Sequence, residues 1–213
     1  MSPLSAAKKQ PDTRERILKA ALKLFARKGI EGSSLRDITA EAGANLQAVD
    51  YHFGSKDDLV MAVLAQCAKP LIEKSIRELD ALEKESGESL AIADIIRINI
   101  RPFLLLGNKD RDFLDFLGNM IGSGYYRKKK IRSQFLSIFA EMNIRFPQAL
   151  LRAARGAARD EFLWRLIFIA VMLATLGLGQ WIIKDLGELA GLDVSDENVE
   201  KQLEQFIISI LNG

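Results

Sequence analysis

Apolar residues recur at helical spacing along most of the chain. Beyond residue 56 this pattern predicts successive amphipathic helices, with no internal repeat or strand-rich region. Glycine-containing connections separate the segments, and Pro102 is expected to kink the second of them. The predicted helices span approximately residues 56–84, 89–106, 110–122, 130–153, 159–185 and 196–211. The fold class indicated is all-α.

The N-terminal quarter of the chain has the pattern of two short helices joined by a tight turn. Ser34 and Asp37 have capping-box spacing and predict the start of the first helix. Gly43 stands where a helix commonly ends in a left-handed residue, and Asn45 can cap the second helix. The residues expected to face the core are Leu35, Ile38 and Ala42 in the first helix and Leu46, Val49 and Phe53 in the second. This arrangement is a helix-turn-helix.

A third capping pair, Ser55 and Asp58, predicts the start of a long helix with Lys56 in its first turn. A cation in that position is slightly unfavourable because of the helix dipole, so Lys56 is expected to serve a partner. The helix before it presents small, amide and aromatic side chains, which suit the major groove of DNA. A plain helical hairpin with solvated polar residues is the alternative.

Residues 13–59 are similar over their whole length to the DNA-binding domain of TetR-family transcriptional regulators. The similarity rests on Phe25–Gly29, on the turn around Gly43, and on the signature Tyr51-His52-Phe53-x-Ser55-Lys56. It implies a homodimer in which an N-terminal three-helix helix-turn-helix domain binds DNA and a C-terminal helical domain binds ligand and dimerises. The expected divisions are a flexible arm at 1–11, the DNA-binding domain at 12–55 and the helical domain at 56–213.

The family pattern also implies which residues contact a double-stranded DNA operator. It assigns Gln47, Ala48 and Tyr51 to the DNA, His52 to the vicinity of its backbone and Lys56 to a phosphate. The full set of DNA-binding candidates is Arg36, Asn45, Gln47, Ala48, Asp50, Tyr51, His52 and Lys56.

Asp50 departs from the common family pattern. An acidic group facing DNA is repelled by phosphates unless it accepts a hydrogen bond from cytosine N4. We therefore hypothesise that Asp50 helps to select a C·G pair. The alternative is that Asp50 pairs locally with a basic side chain and reads nothing.

Composition adds limits rather than a function. The 213 residues are 48% hydrophobic, enough for a DNA-binding module and a larger helical core, and the net charge of +2 is too small to argue for nucleic acid. Residues 125–132, YYRKKKIR, form a compact basic cluster. That cluster suits a second nucleic-acid contact, the entrance for an anionic ligand, or a solvated loop and helix start.

The chain has one cysteine, Cys67, and one histidine, His52. An intramolecular disulfide and a His-rich metal site are therefore excluded, no cofactor is expected, and a reducing cytoplasm is the expected location. Cys67 continues an apolar pattern and is interpreted as a small core residue.

Residues 166–183 run eighteen positions without a charge, so a membrane span must be weighed against a buried core helix. Gln180, the flanking charges and the absence of a second such segment favour the buried helix, and no membrane partner is expected. This helix and the last one resemble the final two helices of TetR-like proteins, which form a four-helix dimer interface. The interface candidates are Leu173, Leu176, Gly177, Gln180, Trp181, Leu203, Phe206, Ile207 and Ile210.

An unknown small-molecule effector is expected from the same resemblance, and part of the sequence looks similar to family members that sense fatty acids or acyl thioesters. The candidate pocket residues are Arg97, Arg101, Phe103, Phe116, Met120, Phe139, Trp164, Phe168 and Met172. The expected function is that of a repressor that binds a palindromic operator as a dimer and is released from it by a small apolar or amphipathic ligand. A ligand-dependent activator or co-repressed regulator is the alternative. A small-molecule enzyme and a helical scaffold are more distant alternatives, and no catalytic motif supports the enzyme.

Overall fold

The computed structural model describes residues 12–87, 89–104, 111–154, 160–169 and 187–212. The predicted N-terminal arm, residues 1–11, lies outside this part of the chain. Within the described residues every regular element is helical, which confirms the all-α fold. The helices are α1 (Thr13–Lys28), α2 (Leu35–Ala42), α3 (Leu46–Phe53), α4 (Lys56–Ser86), α5 (Ile92–Leu104), α6 (Arg111–Gly122), a 3-10 turn (Tyr125–Arg127), α7 (Lys129–Ile138), α8 (Ala140–Ala153), α9 at residues 160–169 and α10 (Asp196–Asn212).

Helices α1, α2 and α3 pack on one another, and we call them the head; α4 and the helices after it are called the body. Ile17, Phe25, Ile38 and Val49 are fully buried and form the centre of the head. The prediction that Leu46 faces the core is wrong, because 42% of its surface is exposed. Leu46 is the first residue of α3, directly after the N-cap residue Asn45, and this first turn lies outside the core.

The predicted helix over 130–153 is also wrong, since the chain forms α7 and α8 with a break at Phe139. Phe139 has φ −96° and ψ 10°, away from helical values, although its ring still contacts Phe135 at 4.8 Å between centroids. The apolar pattern continues across the break because both rings face the same cluster. Spacing alone therefore could not reveal it.

Helix α1 makes its most extensive packing with α6. The Phe25 ring stacks on Phe116 with centroids 5.9 Å apart, and Phe116 has no exposed surface. Asn119 of α6 donates its side-chain amide to the Phe25 carbonyl at 3.0 Å and to the Ala26 carbonyl at 2.8 Å. These carbonyls belong to the last turns of α1, so α6 both covers and hydrogen-bonds the end of that helix.

Ion pairs and side-chain hydrogen bonds connect helices α5 and α9 of the body to α10. Arg97 of α5 bonds Glu204 of α10 at 2.6 Å and Asp94 at 2.9 Å, and Glu204 is the first cause of the raised pKa of Arg97. Arg165 of α9 donates to the carbonyls of Ile210 at 3.1 Å and Leu211 at 3.3 Å, near the end of α10. Among the described residues, none of the helices has the length and apolar character to cross a membrane.

Candidate nucleic-acid interface

The first helix of the predicted helix-turn-helix begins at the expected capping box. The Asp37 N–H donates to Ser34 Oγ at 3.1 Å, and the Ser34 N–H donates to Asp37 Oδ2 at 3.1 Å. The Ser34 side chain, followed by its backbone N–H, lowers the pKa of the Asp37 carboxyl. Free N–H groups at the start of α2 are thereby partly satisfied.

The turn between α2 and α3 is fixed by one glycine and one asparagine. Gly43 has φ 59° and ψ 40°, the left-handed conformation that side-chain-bearing residues rarely adopt. Asn45 Oδ1 accepts the Ala48 N–H at 2.8 Å and so caps α3. Both predictions from the sequence are confirmed, and together these residues set the direction in which α3 leaves α2.

Helix α3 buries one face and exposes the other. Val49 is completely buried, whereas Tyr51, two residues later, is 85% exposed. Gln47 and Asp50 are also exposed, and Ala48 is half-buried against the core. A short helix held by its buried face and carrying an amide, a carboxylate and a phenol outward has the shape and chemistry needed in a major groove.

Three consecutive aromatic rings at the end of α3 contact one another in a row. The Tyr51 and His52 rings meet edge to face at 5.0 Å, and the His52 and Phe53 rings lie 6.1 Å apart. The Arg14 guanidinium lies 5.5 Å from the centre of the Phe53 ring, so α1 covers the end of α3. His52 is half-buried in this row, which limits its freedom beside the exposed Tyr51.

Helix α4 begins directly after the cluster. The Asp58 N–H donates to Ser55 Oγ at 3.1 Å, as predicted, and Lys56 is half-buried in the first turn. Exposed Arg36 lies in the first turn of α2, which packs on α3. Two helix N-termini, each with a cation in its first turn, therefore flank α3, and such ends favour phosphate groups.

The local-pairing alternative for Asp50 gains no support from the part of the chain that the structure describes. There, no basic side chain lies within ion-pair distance of Asp50, and its carboxylate is exposed. The base-reading hypothesis for Asp50 stays a prediction.

Side chains of the basic cluster at residues 125–132 join the body to the first turn of α4, a contact that the sequence did not predict. The Tyr125 hydroxyl donates to Asp57, and the pKa of Tyr125 is raised by its burial and by that carboxylate. Lys130 bonds Asp58 at 2.7 Å, and Lys128 lies 3.5 Å from Asp57. The sequence contains two acidic residues directly after Lys56 and a run of cations much later in the chain. Their spacing does not show that the acidic residues and the cations contact one another.

Among the described residues, the predicted pocket candidates lie on α5, on α6, at the α7–α8 break and on α9. Phe116 and Met120 are buried in α6, Phe116 against the head, and Phe139 lies beside Phe135 at the α7–α8 break. Trp164 and Phe168 stack at 6.0 Å on α9 but are 60% and 65% exposed. Arg97 is engaged with Glu204, and Arg101 is exposed. Met172 and the side chain of Phe103 lie outside the part of the chain that the structure describes. The ligand pocket stays a prediction.

The predicted dimer interface is described only on α10. Phe206 is 52% exposed, Ile207 is buried, and Leu203 and Ile210 are half-buried. The other candidates lie outside the described residues: Leu173, Leu176, Gly177, Gln180 and Trp181.

Comparison with known sequences identifies the head. Residues 17–63 match the family described as "Bacterial regulatory proteins, tetR family". The nicotine-responsive transcriptional repressor HdnoR of Paenarthrobacter nicotinovorans is 38% identical over 84 residues, which cover 39% of this chain and 43% of that protein. The repressor NicS of Pseudomonas putida is 42% identical over 52 residues, 24% of each chain. The chain thus matches less than half the length of these relatives.

Comparison of structures extends over nearly the whole chain. A transcriptional regulator from Saccharomonospora viridis in complex with choline has a TM-score of 0.65 and 21% identity, covering 91% of this chain and 94% of that one. The fatty acid degradation regulator FadR from Bacillus halodurans has a TM-score of 0.60 and 13% identity, covering 94% and 96%. These likenesses show a shared fold. The sequence match of residues 17–63 shows that the head is a helix-turn-helix domain of the TetR family of bacterial regulatory proteins, and the whole chain has the all-helical fold of regulators with that domain.

Proposed function

We propose that the protein is a repressor that binds a palindromic operator as a homodimer and leaves it when a small apolar or amphipathic ligand binds. The contrast between Val49, completely buried, and Tyr51, 85% exposed, is the observation that carries the DNA-binding part. It means that α3 is held by one face and offers the other to a partner. Gln47, Asp50 and Tyr51 then read bases, while Arg36 and Lys56 bind phosphates.

The dimer follows from the geometry that such a reader needs. Two copies of α3 must reach successive major grooves, about 34–36 Å apart, so a two-fold dimer reads an inverted repeat. Phe206 supports pairing through α10, because a large apolar side chain that is 52% exposed gains by burial against a second copy.

A small-molecule effector is supported by what is known of similar proteins. The name of HdnoR records a response to nicotine, and the regulator from Saccharomonospora viridis was crystallised with choline. For this chain we propose a ligand held among the helices of the body.

The contact between α6 and α1 offers a path for release. A ligand that favours a different position of α6 would move Phe116 and Asn119, which hold the end of α1. The two heads would then have the wrong separation for the operator. Release follows only if the ligand binds that second conformation more tightly than the DNA-bound one.

The test is selection of bound duplexes from a random pool at two salt concentrations. We expect enrichment of an inverted repeat whose half-sites are about one helical turn apart. The matched controls are Tyr51→Ala, which should lose the enrichment, and Arg77→Ala on the outer surface of α4, which should keep it. Enrichment that survives Tyr51→Ala, or no enrichment by the wild-type protein, contradicts the DNA-reading proposal.

A further inference from the structure

We propose that the basic segment at residues 127–132, which belongs to the body, is a second DNA-binding surface that contacts phosphates flanking each half-site. This inference rests on the proposed function of the head. It assigns a role to a surface that the helix-turn-helix does not include.

The segment carries more positive charge than its neighbours neutralise. Lys128 pairs with Glu31 at 3.6 Å and Asp57 at 3.5 Å, and Lys130 pairs with Asp58 at 2.7 Å. The remaining cations are exposed, and no acid of the described chain lies within ion-pair distance of them. These are Arg127, Lys129 and Arg132.

The ion pairs also fix where this charge lies. Asp57 directly follows Lys56, one of the predicted phosphate-binding residues. Glu31 precedes Ser34, the cap of α2, by three residues, and three residues span at most about 11 Å. The basic segment therefore lies beside the starts of α2 and α4, the two helix ends that flank α3.

A firm frame holds the segment in that position. Ile131 is completely buried, and the Tyr125 hydroxyl is bonded to Asp57. The Lys128 ammonium lies 3.9 Å from the centre of the Tyr125 ring. The cations are thus presented on an anchored turn and helix start, so less conformational entropy is lost when they bind.

The charges have two consequences for a DNA partner. Lys128 and Lys130 offset carboxylates that would otherwise repel phosphates close to Lys56. The unpaired cations then add attraction within roughly one Debye length, about 10 Å at 0.1 M salt. Duplex DNA is the partner favoured, because its backbone continues beyond the half-site as a regular row of phosphates, and arginine binds these bidentately.

The experiment compares two operators taken from the selected site: one that ends at the outer edges of the half-sites and one extended by about one helical turn on each side. The full-length protein is titrated against both over a range of salt concentrations. We expect the wild-type protein to bind the extended duplex more tightly and with a steeper salt dependence. The triple variant Arg127→Gln/Lys129→Gln/Arg132→Gln should lose that difference and keep its affinity for the short duplex.

The expected change in slope is set by counterion release. Each lost phosphate contact lowers the slope of log affinity against log salt by about 0.9, so one to three contacts per subunit lower it by roughly 2 to 5 for a dimer. The control removes the same charge elsewhere through Lys74→Gln/Arg77→Gln/Lys84→Gln and should retain the benefit of the flanks. If the triple variant Arg127→Gln/Lys129→Gln/Arg132→Gln unfolds at a lower temperature than the wild-type protein, the single variant Lys129→Gln replaces it as the test of the basic segment.

The outcomes separate the two proposals. If the wild-type protein binds neither duplex specifically, the proposed function fails. If it binds both duplexes equally well, or if the triple variant keeps the benefit of the flanks, the reading head stands and the second DNA-binding surface is wrong.

Discussion

Asp50 is the residue of α3 whose charge has the same sign as that of the DNA backbone. Its carboxylate is exposed, and as an ionised group it only accepts hydrogen bonds. On DNA it must face a donor such as cytosine N4 or be repelled by phosphates.

We predict that Asp50→Asn relaxes the preference for a C·G pair at one symmetric position of the operator. The discrimination lost should be about 1 kcal/mol or more, roughly fivefold in relative affinity. Fluorescence anisotropy with operators carrying each of the four base pairs at that position measures the change, and Asp112→Asn at an exposed position of α6 is the control. An unchanged ranking of the four operators sinks the base-reading role.

Asp58 links the start of α4 to α7, and its carboxylate is sensitive to pH. The hydrogen bond from Lys130, followed by that from Ser55, lowers the pKa of Asp58 below its ordinary value of 3.8. The folded protein therefore holds the charged form more tightly than the unfolded chain does. This contribution to stability is present above pH 3.8 and is lost as the pH falls through the lower pKa of the folded state.

Asp58→Asn should accordingly lower the free energy of unfolding at pH 7 by roughly 0.5–1 kcal/mol, the value of a partly exposed ion pair. The difference from the wild-type protein should shrink in acid below the ordinary pKa. Urea unfolding across pH measures it, with Asp112→Asn as the control. A difference that stays constant with pH would show that Asp58 acts through packing rather than charge.

Contacts between helices far apart in the sequence, such as that between α6 and α1, could not be predicted from the sequence. Asn119 and Phe25 lie 94 positions apart, and Tyr125 and Asp57 lie 68 apart. Capping rules act over three or four residues and therefore predicted Ser34, Gly43, Asn45 and Ser55 correctly. They contain no information on which distant surfaces meet.

Asn119→Ala should destabilise the protein by about 1–3 kcal/mol. It removes the donor to two carbonyls near the end of α1, which are left part-buried without that partner. Thermal or urea unfolding measures the loss, and Asn143→Ala on the exposed surface of α8 is the matched control. Equal stability of the two variants would mean that water replaces the bonds and that α6 is held by its rings alone.

The errors at Leu46 and Phe139 have a shared physical origin. Helical spacing reports which residues are apolar, but not where a helix stops or how far its first turn extends beyond the core. The backbone of Phe139 interrupts the helix, but its ring still packs beside Phe135 as the helical spacing predicts. Leu46 fits the apolar spacing of α3 but lies in an exposed first turn. Both positions required the tertiary structure.

Reading of an inverted repeat needs two heads on one operator. Phe206→Lys places a charge on the exposed apolar position of α10 and should turn the predicted dimer into a monomer. Light scattering after size-exclusion chromatography gives the mass, and operator affinity should fall with it. Gln148→Lys on α8 adds the same charge away from α10 and should remain dimeric. A Phe206→Lys protein of unchanged mass would place the interface elsewhere.

Base reading by α3 is best tested by a paired selection of random duplexes with the wild-type protein and Gln47→Ala. If exposed residues of α3 read bases, the variant should enrich the same inverted repeat with the same spacing but lose preference at one position in both half-sites. Identical enriched sites for the two proteins would contradict base reading by Gln47, and enrichment of no inverted repeat by either would contradict the whole account of the head.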